Sequence, residues 1–83
     1  MSPEPSPADV IEMLREEGLA DLPAEFSEEG DLFAAGMDSM GVMQLIVIVE
    51  ERFGAVIRPE DAGRENLGTA VALAALIGRR MAA

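Results

Sequence analysis

Apolar residues recur at helical spacing in three stretches of the chain, and polar or turn-forming residues separate these stretches. Before the first stretch, Ser6 and Pro7 are typical of an N-cap and a first helical position, and Gly18 after it is typical of a helix end. Its apolar positions are Val10, Ile11 and Leu14. The pattern predicts an amphipathic helix over residues 7–17. Residues 1–6, with prolines at positions 3 and 5, are predicted to form a disordered tail.

The second stretch, residues 39–53, contains a run of β-branched residues that favours a strand as much as a helix. Its length, the cap-forming Asp38 before it and Gly54 after it favour a helix. The predicted core face of this helix consists of Val42, Leu45, Ile46, Val49 and Phe53. A second apolar stripe, formed by Met40, Met43 and Val47 beside Gln44, then points elsewhere.

The third stretch follows Thr69, which can cap a last helix. Its predicted apolar stripe is Ala70, Val71, Leu73, Ala74, Leu76 and Ile77. Before it, residues 59–63 are predicted to form one short helical turn that begins at a proline and ends at a glycine. Residues 19–37 have no sustained period and are predicted to be a long loop, held by Leu22, Phe26, Leu32 and Phe33. The predicted fold is all-α: a small four-helix bundle of three main helices and one short helix, in a single domain over residues 7–81.

Residues 31–40 place one serine at the predicted start of the second helix. If Asp38 is the N-cap, Ser39 occupies the first helical position, where backbone N–H groups are unpaired. Those donors and the positive end of the helix dipole would stabilise a phosphate attached to the Ser39 oxygen. Gly36 gives the backbone freedom just before the helix begins. The competing interpretation is that Asp38 and Ser39 serve only as a helix start.

Composition excludes several classes of function. The chain has no cysteine and no histidine, so disulfides and thiolate or imidazole metal sites are excluded, and Ser39 has no evident base to activate it for hydrolysis. A net charge of −10 disfavours binding to nucleic acid or to an anionic membrane surface. The acidic, proline-rich start is unlike a signal peptide, and no apolar run reaches the length of a membrane span. We therefore expect a cytoplasmic protein, monomeric by itself, without a bound metal.

The motif Asp31-Leu32-Phe33-x-x-Gly36-x-Asp38-Ser39-Met40, followed by Leu45, Phe53 and Gly54, resembles the carrier-protein family, which comprises acyl, aminoacyl and peptidyl carrier proteins. The resemblance extends from about Val10 to Ile77. It implies an acyl-carrier-protein-like bundle and a non-catalytic function. It also implies that Ser39 carries a phosphopantetheine arm, derived from coenzyme A, whose thiol holds a substrate as a thioester.

The same resemblance implies which surfaces meet partners. Asp38 would help a phosphopantetheinyl transferase to recognise the site. Acyltransferase, adenylating or ketosynthase-type enzymes with basic docking patches would bind the second helix and nearby acids, at Met40, Met43, Gln44, Val47, Glu51, Glu60 and Asp61. From the residues alone, two other interpretations stay open: the methionine stripe belongs to the core, and the acids form only a solvated face. Gly41 either leaves room beside Ser39 or is a tolerated surface glycine.

The sequence departs from fatty-acid carriers, because Gly41 and Gln44 stand where those carriers usually have acids. It is closer to D-alanyl and other aminoacyl carriers, and to stand-alone carriers of polyketide or nonribosomal peptide pathways. The main expectation is a stand-alone carrier of natural-product biosynthesis, and the alternative is a D-alanyl or aminoacyl carrier outside such a pathway. Two rivals come from other classes. One is an unmodified acidic helical adaptor that binds a basic helix, and the other is a Ser39-dependent enzyme, which the missing histidine disfavours.

Overall fold

The computed structural model describes residues 4–82, which contain helices and connecting segments but no strand. The helices are α1 (Pro7–Glu17), α2 (Ser39–Phe53), α3 (Arg64–Leu67) and α4 (Ala70–Met81), with a single 3₁₀ turn at Pro59–Asp61. The predicted all-α bundle is confirmed. Residues 1–3 of the predicted tail lie outside the described residues. Pro5, which the sequence assigns to that tail, is buried.

Local capping explains where the main helices begin. At α1 the Ser6 hydroxyl accepts a hydrogen bond from the Asp9 N–H at 3.1 Å, and the Asp9 carboxylate accepts one from the Ser6 N–H at 2.9 Å. At α4 the Thr69 hydroxyl accepts from the Ala72 N–H at 3.0 Å. These side chains accept hydrogen bonds from first-turn N–H groups that have no partner within the helix. The predicted bounds of α1 and α2 are confirmed.

Helix α4 lies against α1, α2 and α3, so it forms the centre of the bundle. The contributing side chains with no measurable exposure include Val10, Leu14, Leu45, Val49, Leu67, Leu73, Leu76 and Ile77. Val71, a member of the predicted apolar stripe of α4, is 43% exposed and lies outside this core. None of the helices in the described part of the chain has the length and hydropathy that a membrane span requires.

The long loop between α1 and α2 is anchored to the bundle by side chains and by its backbone. The core of the bundle contains buried side chains of this loop, among them those of Leu22, Leu32 and Met37. The Leu32 N–H donates to the Gly68 carbonyl at 2.8 Å, and the Val71 N–H donates to the Glu28 carbonyl at 3.1 Å. These bonds join the loop to the segment that leads into α4 and to the first turn of α4.

The region between α2 and α4 differs from the prediction of one short turn. It contains the 3₁₀ turn and, separately, the four-residue helix α3. Gly63, predicted to end the turn, is the N-cap residue of α3 instead. Leu67 at the end of α3 is fully buried, so the burial of this one side chain fixes an element too short to show a period.

Candidate functional site

The start of α2 has the geometry that the sequence predicts. Asp38 is extended, with φ −108° and ψ −173°, and its carboxylate accepts a hydrogen bond from the Gly41 N–H at 2.9 Å. Its carbonyl accepts from the Val42 N–H at 2.9 Å. The N–H groups of Ser39 and Met40 have no acceptor within the helix, as is general for a first turn. The helix therefore begins with free donors next to Ser39.

The Ser39 side chain is solvent-exposed and forms no hydrogen bond with the rest of residues 4–82. An attached phosphodiester would lie beside the free N–H groups and the positive end of the α2 dipole, both of which favour negative charge. Because the side chain is exposed, a group attached to it would extend into solvent and not into the core. These features fit a phosphopantetheine group on Ser39.

The residues before Ser39 hold the loop in shape, a role for which the sequence analysis had no signal. The Asp31 carboxylate accepts from the N–H groups of Phe33 and Ala34 at 2.9 and 3.1 Å. It also forms an ion pair with Arg64 of α3 at 3.3 Å, and the Arg64 guanidinium lies 4.9 Å from the centre of the Phe33 ring. Gly36 then takes φ +108°, a conformation that L side chains rarely adopt. The chain thereby turns into α2.

Gly41 is buried, so its interpretation as a tolerated surface glycine was wrong. A Cβ atom at this position would lie 3.3 Å from the Met37 Cγ and 3.4 Å from the Leu19 carbonyl oxygen. The glycine therefore lets the two ends of the long loop approach the first turn of α2 closely. Its contacts are on the core side of the helix, away from the exposed Ser39 side chain.

Part of the predicted core face of α2 is less buried than expected. Leu45 and Val49 are fully buried together with Gly41, whereas the predicted core residues Val42, Ile46 and Phe53 are only half-buried. The predicted second stripe is free of the core: Met40 and Met43 are each 68% exposed and Val47 is 56% exposed. Gln44 lies exposed beside them. The interpretation of this stripe as core is excluded.

Asp61, predicted to meet partners, is instead a buried structural residue. It is 6% exposed, and its carboxylate accepts two hydrogen bonds from the Arg80 guanidinium, at 2.6 and 2.8 Å. It also accepts from the Arg58 N–H at 3.1 Å. Hydrogen bonding to Arg80, and then to the Arg58 backbone, lowers the pKa of Asp61 below its usual value. Glu51 and Glu60, the other two acids predicted for partner contact, are exposed.

This ion pair predicts an acid-dependent loss of stability. Because the folded-state pKa of Asp61 lies below its usual value of 3.8, the pair stabilises the fold fully above that pH, and the stabilisation is lost as pH falls through the lower folded-state pKa. We expect Asp61→Asn to lower the melting temperature at neutral pH and to weaken the dependence of melting temperature on pH below about 4. Glu60→Gln, at the exposed neighbour, is the control. An equal acid slope in both variants would contradict the prediction.

A helical bundle that presents an exposed, unpaired serine at a helix start, in a chain without histidine, has the features of a carrier protein. The family model described as "Phosphopantetheine attachment site" matches residues 8–77. The chain belongs to this family of phosphopantetheine-bearing carrier proteins. The predicted non-catalytic function and the covalent phosphopantetheine cofactor are thereby confirmed.

Curated relatives of similar length indicate which kind of carrier protein this chain is similar to. The D-alanyl carrier protein of Streptococcus sanguinis (strain SK36) is 41% identical over 64 residues, which is 76% of this chain and 78% of the relative. That of Streptococcus thermophilus (strain ATCC BAA-491 / LMD-9) has the same identity and coverage. The D-alanyl carrier protein of Streptococcus suis (strain 98HAH33) is 34% identical over 61 residues, 74% of this chain and 76% of the relative. These relatives favour the alternative expectation, a D-alanyl or aminoacyl carrier, over the main expectation of a carrier in polyketide or nonribosomal peptide biosynthesis.

Proposed function

We propose that this chain is an aminoacyl carrier of the D-alanyl type, which holds D-alanine as a thioester on a phosphopantetheine arm at Ser39. The similarity to D-alanyl carrier proteins over three quarters of the chain is the observation that carries the proposed cargo. The exposed Ser39 at the start of α2 is the observation that supports the proposed attachment point. The proposal replaces the natural-product pathway expected from the sequence.

The bound arm supplies a thiol on a flexible tether, which raises the effective concentration of the cargo at each enzyme that the carrier meets. The protein's own residues hold the attachment point in place. The Asp38 cap fixes where α2 begins, and the Gly36 turn leads the loop into the helix. The free N–H groups of Ser39 and Met40 would favour the negative charge of an attached phosphodiester. The chain contributes no group that cleaves or forms the acyl bond.

The cargo is tested with the phosphopantetheine-bearing protein, ATP and a purified D-alanine-activating enzyme from one of the streptococci named above. We expect intact-mass analysis to show one D-alanyl group per carrier, and much less transfer of L-alanine. Loading in parallel with malonyl-coenzyme A and an acyltransferase is the comparison. Efficient malonyl loading without D-alanine loading would overturn the proposed cargo and restore the polyketide alternative.

For the partners, we propose that the exposed stripe of α2, with Met40, Met43, Gln44 and Val47, contacts the loading and modifying enzymes. Unbranched methionine side chains adapt to several partner surfaces, and these two are largely exposed. Glu51 and Glu60, also exposed, are proposed to face basic patches on those enzymes. A cytoplasmic location and a monomeric state stay predictions.

Two exposed valines allow a matched test of this surface. Val47 on α2 is 56% exposed and Val71 on α4 is 43% exposed, so aspartate at either position should be tolerated by the fold. We expect Val47→Asp to raise the KM of the activating enzyme for the carrier by about tenfold, the size of effect expected when a charged group replaces one apolar side chain at an interface. Val71→Asp should leave that KM unchanged. Equal effects of the two substitutions would contradict the proposed surface.

Asp38 is proposed to assist recognition by the phosphopantetheinyl transferase as well as to cap α2. Loss of an N-cap costs about 0.5–2 kcal/mol, and Thr69→Ala removes the equivalent cap from α4. We expect Asp38→Ala and Thr69→Ala to lower the free energy of unfolding by similar amounts, while only Asp38→Ala slows arm attachment. Equal attachment rates in the two variants, measured by intact mass over time, would reduce Asp38 to a cap.

A further inference from the structure

A groove begins one residue after Ser39 and follows the outer side of α2. Its walls are Glu17, Met40, Met43, Gln44, Val47 and Ile48. We call it the Glu17 groove. At 1.5 Å of rise per residue, the distance along the helix from Ser39 to Val47 is about 12 Å. A group tethered to Ser39 therefore has a mostly apolar path beside it, with one carboxylate at the wall.

Glu17 is the only acidic member of this groove, and its position is electrostatically unfavourable. It is the last residue of α1, at the negative end of the helix dipole, where a carboxylate is destabilised. Its neighbour Glu16 is at the same end but forms an ion pair with Arg52 at 2.9 Å. Within residues 4–82, Glu17 forms neither an ion pair nor a hydrogen bond. A cation in the Glu17 groove would offset the repulsion between the Glu17 carboxylate and the negative end of the α1 dipole.

The end of α1 lies near α2, and Glu17 lines the same groove as Met40, the residue that follows Ser39. On one side of it, Glu16 reaches Arg52 in the last turn of α2. On the other side, the Leu19 carbonyl oxygen lies 3.4 Å from the position that a Cβ of Gly41 would occupy, in the first turn of α2. Glu17 is exposed between these two contacts and lines the groove together with residues of the first three turns of α2.

We infer that Glu17 binds the α-ammonium group of the aminoacyl cargo when the arm rests in the Glu17 groove. The inference rests on the proposed function, because an aminoacyl thioester carries a free ammonium whereas a simple acyl thioester does not. Charge complementarity selects this occupant: the cargo supplies the one cation that the groove lacks, and the apolar walls suit the methyl groups of the arm and of alanine. Glu17 would then favour aminoacyl over neutral acyl cargo in the resting carrier.

The pKa of the cargo ammonium tests this contact directly. A stable probe is made by attaching an amino-terminated pantetheine analogue, acylated with ¹⁵N-labelled D-alanine, with coenzyme A chemistry and a promiscuous transferase. A carboxylate partner favours the charged ammonium, so we expect the acid dissociation constant to rise about two- to fivefold in Glu17→Gln, the range typical of exposed ion pairs. The measurement is a ¹⁵N NMR titration of the attached group.

Glu16→Gln is the matched control, because it makes the same change in net charge at the adjacent residue but does not line the groove. It should leave the dissociation constant within the experimental error of wild type. A propionyl analogue, which lacks the ammonium, should shift the backbone amide signals of residues 43–47 less than the D-alanyl analogue does. This difference should disappear in Glu17→Gln.

An unchanged dissociation constant in Glu17→Gln overturns the inference. So does a decrease in loading by the activating enzyme without any change in the dissociation constant, which would assign Glu17 to partner contact. The probe is attached without the activating enzyme, so these outcomes are separate from the D-alanine loading test of the proposed function.

Discussion

Ser39→Ala is expected to gain no phosphopantetheine when incubated with coenzyme A and a phosphopantetheinyl transferase, whereas the unsubstituted protein gains one arm. The hydroxyl oxygen of Ser39 is the atom that would form the phosphodiester, and alanine has no atom to replace it. Because the side chain is exposed and unbonded within the described residues, the substitution should leave the bundle folded. Intact-mass spectrometry measures the gain, and far-ultraviolet circular dichroism checks the helices.

The loop offers a matched control for this substitution. Ser27 is also exposed, and its hydroxyl accepts a hydrogen bond from the Glu29 N–H at 3.1 Å instead of standing at the start of a long helix. Ser27→Ala should gain one arm as the unsubstituted protein does. A gain of one arm by Ser39→Ala would show that the attachment point lies elsewhere.

Leu45→Ala is expected to remove a large part of the protein's stability against unfolding. Leu45 is fully buried in α2, and truncation of a buried leucine costs about 3–5 kcal/mol. A domain of 83 residues is typically stable by about 4–12 kcal/mol, so one such cavity removes much of the margin. Urea unfolding followed by circular dichroism measures the loss.

Met43→Ala, two residues earlier on the same helix, separates burial from helix composition. Met43 is 68% exposed, and alanine is a better helix former than methionine, so the free energy of unfolding should change by less than about 0.5 kcal/mol. Equal losses of unfolding free energy in Leu45→Ala and Met43→Ala would contradict the description of Leu45 as a core residue and Met43 as a surface residue.

The main helices were predictable because their signals are local. Ser6 with Pro7, Asp38, and the glycines at 18 and 54 mark helix ends within one turn, and the structure places α1 and α2 at the predicted residues. The exposure of the methionine stripe was also predictable, since apolar residues on opposite sides of one helix cannot all face a core as small as this one. The exposure of Ser39 was predictable from its position at the start of a helix capped by Asp38.

What the sequence analysis missed depends on contacts between distant residues. Asp61 reads as a surface acid until Arg80, nineteen residues later, lies against it. Gly41 reads as an optional glycine until the loop end at Leu19 is placed beside it. Val42 and Ile46 have the spacing of core residues, and the sequence did not indicate that they would be only half-buried.

The cross-links of the long loop bear on how this protein delivers its cargo. Its backbone is bonded to the α3–α4 junction at Leu32 and to α4 at Glu28, and the Asp21 N–H bonds to the Ala35 carbonyl at 3.0 Å. A loop that is bonded to the bundle near its middle does not move as a unit independent of the bundle. We therefore expect the reach from one partner enzyme to the next to come from the phosphopantetheine arm and not from a movement of this loop.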